Sequence, residues 1–312
     1  MLDSPAMRRS PRIVAIVNVT EDSFSDGGRY LAPEAAIGHA RGLVAAGADW
    51  IELGPASSHP DAGRVSAADQ IERLRPILGA LREDATPVSI DATEPDVIRF
   101  AIEAGAGMLN DVRGFPDPDL QAELAGTEAA LVVVHSLLSL DRATRDAASP
   151  EEVLASIDRF FDTRLGALVR AGVSEDRLIV DPGMGFFLGS HPEASIAVLA
   201  RLDALRTRFG RPIFVSVSRK SFLREITGRP VGETGPATLA AELHAARSGA
   251  DFIRTHDVSA LRDGLAVQAA LESASPSAPG PEGLPAPARP QARPRPDEPG
   301  AESAEDPPET VS

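Results

Sequence analysis

The sequence predicts an α/β protein of the (β/α)8 TIM-barrel type, with one parallel barrel making up the folded part of the chain. Three observations carry this expectation. Eight short apolar runs alternate strictly with eight helix-like stretches. Units such as Ala45-Ala46-Gly47-Ala48-Asp49, Glu103-Ala104-Gly105-Ala106 and Ser248-Gly249-Ala250-Asp251 repeat a pattern of helix stop, turn and strand start. Polar or ionisable residues end most of the apolar runs, which is where such a barrel gathers its chemistry. A doubly wound open sheet is the alternative. No GxGxxG follows the first run, which weakens a dinucleotide-binding version of it.

Each element follows from local pattern. Ile13–Val17 is apolar and too short for a helix, so it reads as a buried strand. It ends in Asn18 and enters a polar loop, Thr20–Gly28, with a lone aromatic, Phe24; a helix is expected over Pro33–Ala46. Trp50–Leu53 is the second strand. It ends in Gly54 and a small-residue loop, Pro55 to Asp61, before the helix Ala67–Leu81. Val88–Ile90 ends in Asp91 and precedes the helix Glu94–Ala104. Met108–Leu109 ends in Asn110-Asp111, with a helix over Asp117–Leu124. Leu131–Val134 ends in His135-Ser136, and Pro150–Ala171 is the next helix. Leu178–Val180 ends in Asp181, where Pro182 and Gly183 stop the ladder; a helix follows over Pro192–Phe209. Ile213–Val217 runs into Ser218-Arg219-Lys220-Ser221, with a helix over Ala237–Ser248. Phe252–Ile253 ends in Arg254-Thr255-His256-Asp257, and Ala260–Ser273 is the last helix.

Length and composition bound the function. A chain of 312 residues holds one large α/β barrel or two small domains. Hydrophobic content of 43% supports a sizeable core, and no stretch approaches the roughly 20 apolar residues of a membrane span. The N-terminus carries no signal-like apolar block, so a cytoplasmic protein with no membrane partner is expected. The absence of cysteine excludes disulfides and thiolate metal sites. A net charge of −15 argues against nucleic acid, and an anionic substrate would need a local basic pocket. From Ala274 to Ser312 the chain is rich in Pro, Ala and Glu without periodicity, so a disordered tail is expected there. Residues 1–10 read as a loose lead-in, which leaves residues 11–273 for the barrel.

The strand ends suggest what the barrel binds. A carboxylate at the end of a buried strand, such as Asp181, is costly unless something pairs with it. Asp91, Asn110 and Asp181, with Lys220 nearby, offer carboxylates, an amide and an ammonium, a set that suits a flat heterocycle with amino and ring N–H groups. Arg254 and His256 are two residues apart in an extended segment, so both side chains point the same way, and barrels commonly hold phosphate after strands seven and eight. Asn18 offers an oxygen that could help hold Mg²⁺ against a diphosphate. Taken singly, Asn18 and Asp181 also fit plain turn residues, and His135 fits a rim histidine bonded to backbone.

The motifs IVNVTEDSFSDGG, VSID, LND, DPGMGF, SRKSF and RTHD are similar to those of the dihydropteroate synthases, and the likeness runs from about Ile13 to Leu271. That resemblance implies a (β/α)8 barrel, a homodimer, and synthesis of 7,8-dihydropteroate from 6-hydroxymethyl-7,8-dihydropterin diphosphate and para-aminobenzoate. It implies that Asp91, Asn110, Asp181 and Lys220 hold the pterin, and that Asn18, Arg254 and His256 hold the diphosphate, with Mg²⁺ at Asn18. Phe24, Ser58, Pro60, Phe186, Phe187, Lys220 and Ser221 would frame para-aminobenzoate. Two places depart from the ordinary chromosomal pattern. The second loop reads Gly54-Pro55-Ala56-Ser57-Ser58-His59-Pro60-Asp61 in place of GGESTRPG, and Gly185-Phe186-Phe187-Leu188-Gly189 replaces GFGK. Both resemble the Sul branch of mobile, sulfonamide-resistant synthases, in which a rigid aromatic such as Phe187 would clash with the drug and spare the smaller substrate. A binding-only paralogue, or a methyltetrahydrofolate methyltransferase built on a similar pterin-binding barrel, would be the rival functions.

Overall fold

A computed structural model describes residues 10–19, 33–56, 63–138, 148–189 and 191–274. Eight parallel strands form one sheet in the order β6-β5-β4-β3-β2-β1-β8-β7. These are β1 (Arg12–Asn18), β2 (Trp50–Gly54), β3 (Val88–Asp91), β4 (Met108–Asp111), β5 (Ala130–Val134), β6 (Leu178–Asp181), β7 (Phe214–Val215) and β8 (Phe252–Thr255). The seam between β6 and β7 is closed by one bridge, Val180 to Ile213, with Val180 N–H donating to Pro212 O at 3.0 Å. The chain is thus a (β/α)8 barrel.

Ten helices wrap it among the described residues: α1 (Pro33–Ala45), α2 (Ala67–Glu83), α3 (Pro95–Glu103), α4 (Pro118–Ala125), α5 (Pro150–Arg170), α6 (Pro192–Leu199), α7 (Leu202–Phe209), α8 (Ser221–Thr227), α9 (Gly235–Arg247) and α10 (Val258–Ala274). Their starts are written locally. Ser66 caps α2 by accepting from Asp69 N–H, and Ser149 and Glu152 form a reciprocal capping box on α5. Proline occupies the first turn of α3, α4, α5 and α6, where its missing N–H costs no bond.

Strand alternation divides the side chains. Ile13, Ala15, Ile51, Leu53, Ile90, Leu131, Val133, Leu178, Val180 and Ile253 point outward into the layer beneath the helices. Val14, Met108, Val132, Ile179, Phe214 and Phe252 point inward and plug the lower barrel, with Phe214 stacked on Phe252 at 6.1 Å. The same inward register, continued toward the strand ends, carries Glu52, Ser89, Asp91, Asn110, Asp181, Ser216 and Arg254. The site therefore sits on an apolar floor, at the C-terminal ends of the strands.

The structure corrects three expected elements. The helix foreseen over Pro192–Phe209 is broken between α6 and α7, where Arg201 leaves helical geometry at φ −119°, ψ 13°; no Pro or Gly marks this break. The seventh strand is laddered only at Phe214–Val215; Ser216 keeps the inward register beyond the ladder, and the chain then turns over Val217–Lys220, where Lys220 N–H donates to Val217 O at 3.2 Å. Arg219 makes that turn at φ +58° and donates its N–H to Thr238 Oγ1 at 3.2 Å. Ser221 then opens α8, where the sequence pattern predicts no helix. The lead-in (residues 1–9), most of the first loop, Ser58, His59 and Pro60, and the tail beyond Ala274 lie outside the described residues.

Candidate active site

Asp91, Asn110, Asp181, Lys220 and Arg254 line one narrow cavity together with Val112, Val134, Phe187 and Ser216. The register explains why strand-end residues so distant in sequence meet: Asp91 stands opposite Asn110, and Val134 opposite Asp181.

At the centre is a residue that no strand end marks. Glu52 lies in mid-β2 and is fully buried. Its Oε2 accepts from Ser89 Oγ at 3.0 Å and from Asn110 Nδ2 at 3.0 Å, and its Oε1 pairs with Arg254 Nε. Arg254 Nη2 also reaches Asp91 Oδ2 at 3.1 Å. An ionised carboxylate only accepts, so Glu52 fixes which end of the Asn110 amide faces it. The signal for Glu52 was one acid inside WIELG, within a parallel barrel where strands are buried on both faces.

The electrostatics follow from burial. Asp91 is pushed up to about 6 by burial, although the Arg254 guanidinium opposes this. Asp181 is also pushed up to about 6 by burial, against its bond from Gly183 N–H at 2.8 Å and the nearby Lys220. Lys220 is brought down to about 8 by burial and by the like charge of Arg254. Burial disfavours the Arg254 charge, but Glu52 and Asp91 outweigh it and hold the guanidinium above its ordinary value. Three carboxylates thus face two cations, an excess of acceptors that suits a ligand rich in N–H donors.

His256 follows β8 beside this set. Burial, then the cations Arg219, Arg254 and Lys220, bring it down to about 3. At neutral pH it is an uncharged hydrogen-bonding imidazole, with Nδ1 2.9 Å from Ser218 Oγ. Asn18 ends β1 and is exposed, with its Oδ1 3.4 Å from where a Cβ on Gly54 would sit. Among the described residues no group of three or more acids and histidines could hold a metal. A single amide oxygen still fits Mg²⁺ that arrives on a diphosphate, since that ion takes few protein ligands alongside phosphate oxygens and waters.

Phe187 lies over Lys220, with Nζ 4.4 Å from the ring centroid, and Phe186 is 6.2 Å from it between centroids. Gly185 allows this packing: at φ +62° a Cβ there would meet Lys220 Cβ and Ser221 Oγ at 3.1 Å. Phe24, Ser58 and Pro60 lie outside the described residues. His135 faces away from the cavity and is structural, with Nδ1 3.2 Å from Pro182 O and Nε2 3.1 Å from Ser156 Oγ. Asp111 also points outward and accepts from Arg113 and Phe115 N–H at 2.8 Å.

Residues 14–256 match the pterin binding enzyme family. The chain belongs to the dihydropteroate synthases. It is 56% identical over 266 residues to the type-2 dihydropteroate synthase of Escherichia coli, covering 85% of this chain and 98% of that one. Its identity to the dihydropteroate synthase of Escherichia coli strain K12 is 32% over 265 residues, covering 85% and 93%. The Xanthomonas albilineans dihydropteroate synthase in complex with 7,8-dihydropteroate superposes with a TM-score of 0.74 at 34% identity, covering 86% of this chain and 95% of that one. A dihydropteroate synthase is an alkyl transferase of folate biosynthesis, and that is the function this membership gives the chain.

Proposed function

We propose that the strand-end cavity condenses 6-hydroxymethyl-7,8-dihydropterin diphosphate with para-aminobenzoate, giving 7,8-dihydropteroate and diphosphate. The observation that carries this reading is the inward ring of Asp91, Asn110, Asp181 and Lys220 beside Arg254. The carboxylates accept the amino and ring N–H groups of the pterin, and Lys220 donates to a ring acceptor. Arg254, His256 and Asn18 hold the diphosphate. When Mg²⁺ is bound there it offsets the diphosphate charge. Arg254 stabilises the same charge as the methylene carbon–oxygen bond breaks and its electron pair leaves with the diphosphate. Asp91 and Asp181 face the positive charge left on the pterin methylene. The para-aminobenzoate amine then forms the carbon–nitrogen bond and loses a proton.

Phe186, Phe187 and Ser221 are assigned to para-aminobenzoate, with Phe24, Ser58 and Pro60 completing that pocket from the first two loops. Phe187 also carries the proposed sulfonamide insensitivity. The Phe187 ring held over Lys220 at the cavity supports it. The enzyme is further assigned as a cytoplasmic homodimer formed through α9 and α10, where Val267 is 61% exposed. No helix among the described residues is long and apolar enough to cross a membrane.

Turnover titrated with sulfamethoxazole tests the reading. The full chain is expected to keep working at drug levels that stop the strain K12 enzyme, and Phe187→Gly, with the aromatic clash removed, is expected to be inhibited at lower drug concentration. Equal inhibition of the wild type and Phe187→Gly would remove the role of Phe187.

A further inference from the structure

Ser216 is the one cavity-lining polar residue whose side-chain atoms include a buried oxygen with no hydrogen-bond partner among the described residues. The residue is 7% exposed. Its neighbours are committed. Asp91 pairs with Arg254, Asn110 donates to Glu52, Asp181 accepts from Gly183, and Lys220 lies over the Phe187 ring. An unmet hydroxyl inside a barrel is costly, and a buried polar group without a protein partner calls for an explanation.

Two features point the hydroxyl at the ligand. Ser216 lies two residues beyond Phe214, whose ring fills the barrel floor, so the strand register turns it inward above that floor. It also stands on the segment that delivers Lys220, a donor, in a cavity whose acceptors include Asp91 and, on the adjoining strand β6, Asp181. A heterocycle that gives its N–H groups to the carboxylates turns its carbonyl oxygen or ring nitrogen toward Lys220 and Ser216. Resting on the pterin reading of the cavity, we propose that Ser216 is a further substrate-binding residue, donating its hydroxyl hydrogen to an acceptor atom of the pterin ring beside Lys220.

The test compares the full-length protein with Ser216→Ala by fluorescence titration with 6-hydroxymethylpterin, and by thermal denaturation. Ser216→Ala is expected to raise the dissociation constant about 5- to 10-fold, the effect of one neutral hydrogen bond. The melting temperature should hold or rise, because the substitution removes a hydroxyl that the protein does not satisfy. An unchanged dissociation constant overturns the proposal. So does a fall of several degrees in melting temperature, which would mean the hydroxyl serves the fold. If the wild type itself fails to bind the pterin, the reading of the whole cavity falls, and this proposal falls with it.

Discussion

Removing the guanidinium of Arg254 should destabilise the fold as well as impair the chemistry, because that group is the counter-charge of a carboxylate inside the barrel. Glu52 is 0% exposed and Arg254 15% in their side chains, and the pair is joined by a direct Nε–Oε1 contact. In Arg254→Met the stem is kept and the charge is lost, leaving Glu52 with only the Ser89 hydroxyl and the Asn110 amide. Breaking a buried pair from one side costs about 3–5 kcal/mol; two surviving hydrogen bonds put this case at the lower end, about 3 kcal/mol. For a barrel of this size that is a fall of roughly 6–9 °C in Tm. The assay is thermal denaturation at pH 7 of Arg254→Met, Glu52→Gln and the double variant. The double variant should melt higher than the sum of the two single effects implies, with a coupling of about 2 kcal/mol. A Tm for Arg254→Met within about 2 °C of wild type, or simple additivity of the pair, would refute the reasoning.

Two further outcomes follow from burial. The kcat/KM for the pterin diphosphate should rise through about pH 6, where Asp91 and Asp181 ionise, and fall above about pH 8, where Lys220 loses its proton; these are values of the coupled cluster, and a flat profile would contradict the roles assigned. Glu242 on α9 is buried beneath β8 and pushed up to about 8 by burial, against its bond from Thr255. Its folded value lies above its unfolded one, so its contribution to stability is complete below about pH 4.5 and is lost as pH rises toward 8. Glu242→Gln should therefore gain on the wild type by up to ~1.4 kcal/mol per pH unit across that window in urea denaturation, and a difference independent of pH would contradict it.

Much of the site was legible because a barrel places function at strand ends, and strand ends are visible where an apolar run meets a polar residue. Asp91, Asn110, Asp181 and Arg254 all stood at such boundaries, and the structure brings them to one cavity. Glu52 stood at no boundary. Its partner Arg254 is 202 positions away, and the two meet only because β1 lies between β2 and β8 in the sheet. No local pattern encodes that closure. The uncharged state of His256 was also hidden, since it arises from burial and three neighbouring cations assembled in space. Ser216 read as part of an apolar strand, and its unmet hydroxyl became visible only once the partners of every surrounding group were known. The break at Arg201 carries no proline or glycine, and α8 opens at Ser221 with no side-chain cap, although Gly228 ends it in the left-handed region.

The most direct test of the account is product formation by the purified full-length chain supplied with 6-hydroxymethyl-7,8-dihydropterin diphosphate, para-aminobenzoate and Mg²⁺. Equal amounts of 7,8-dihydropteroate and diphosphate are expected, with the yield collapsing in Asp181→Asn. A chain that binds pterin but releases no diphosphate would contradict the synthase reading.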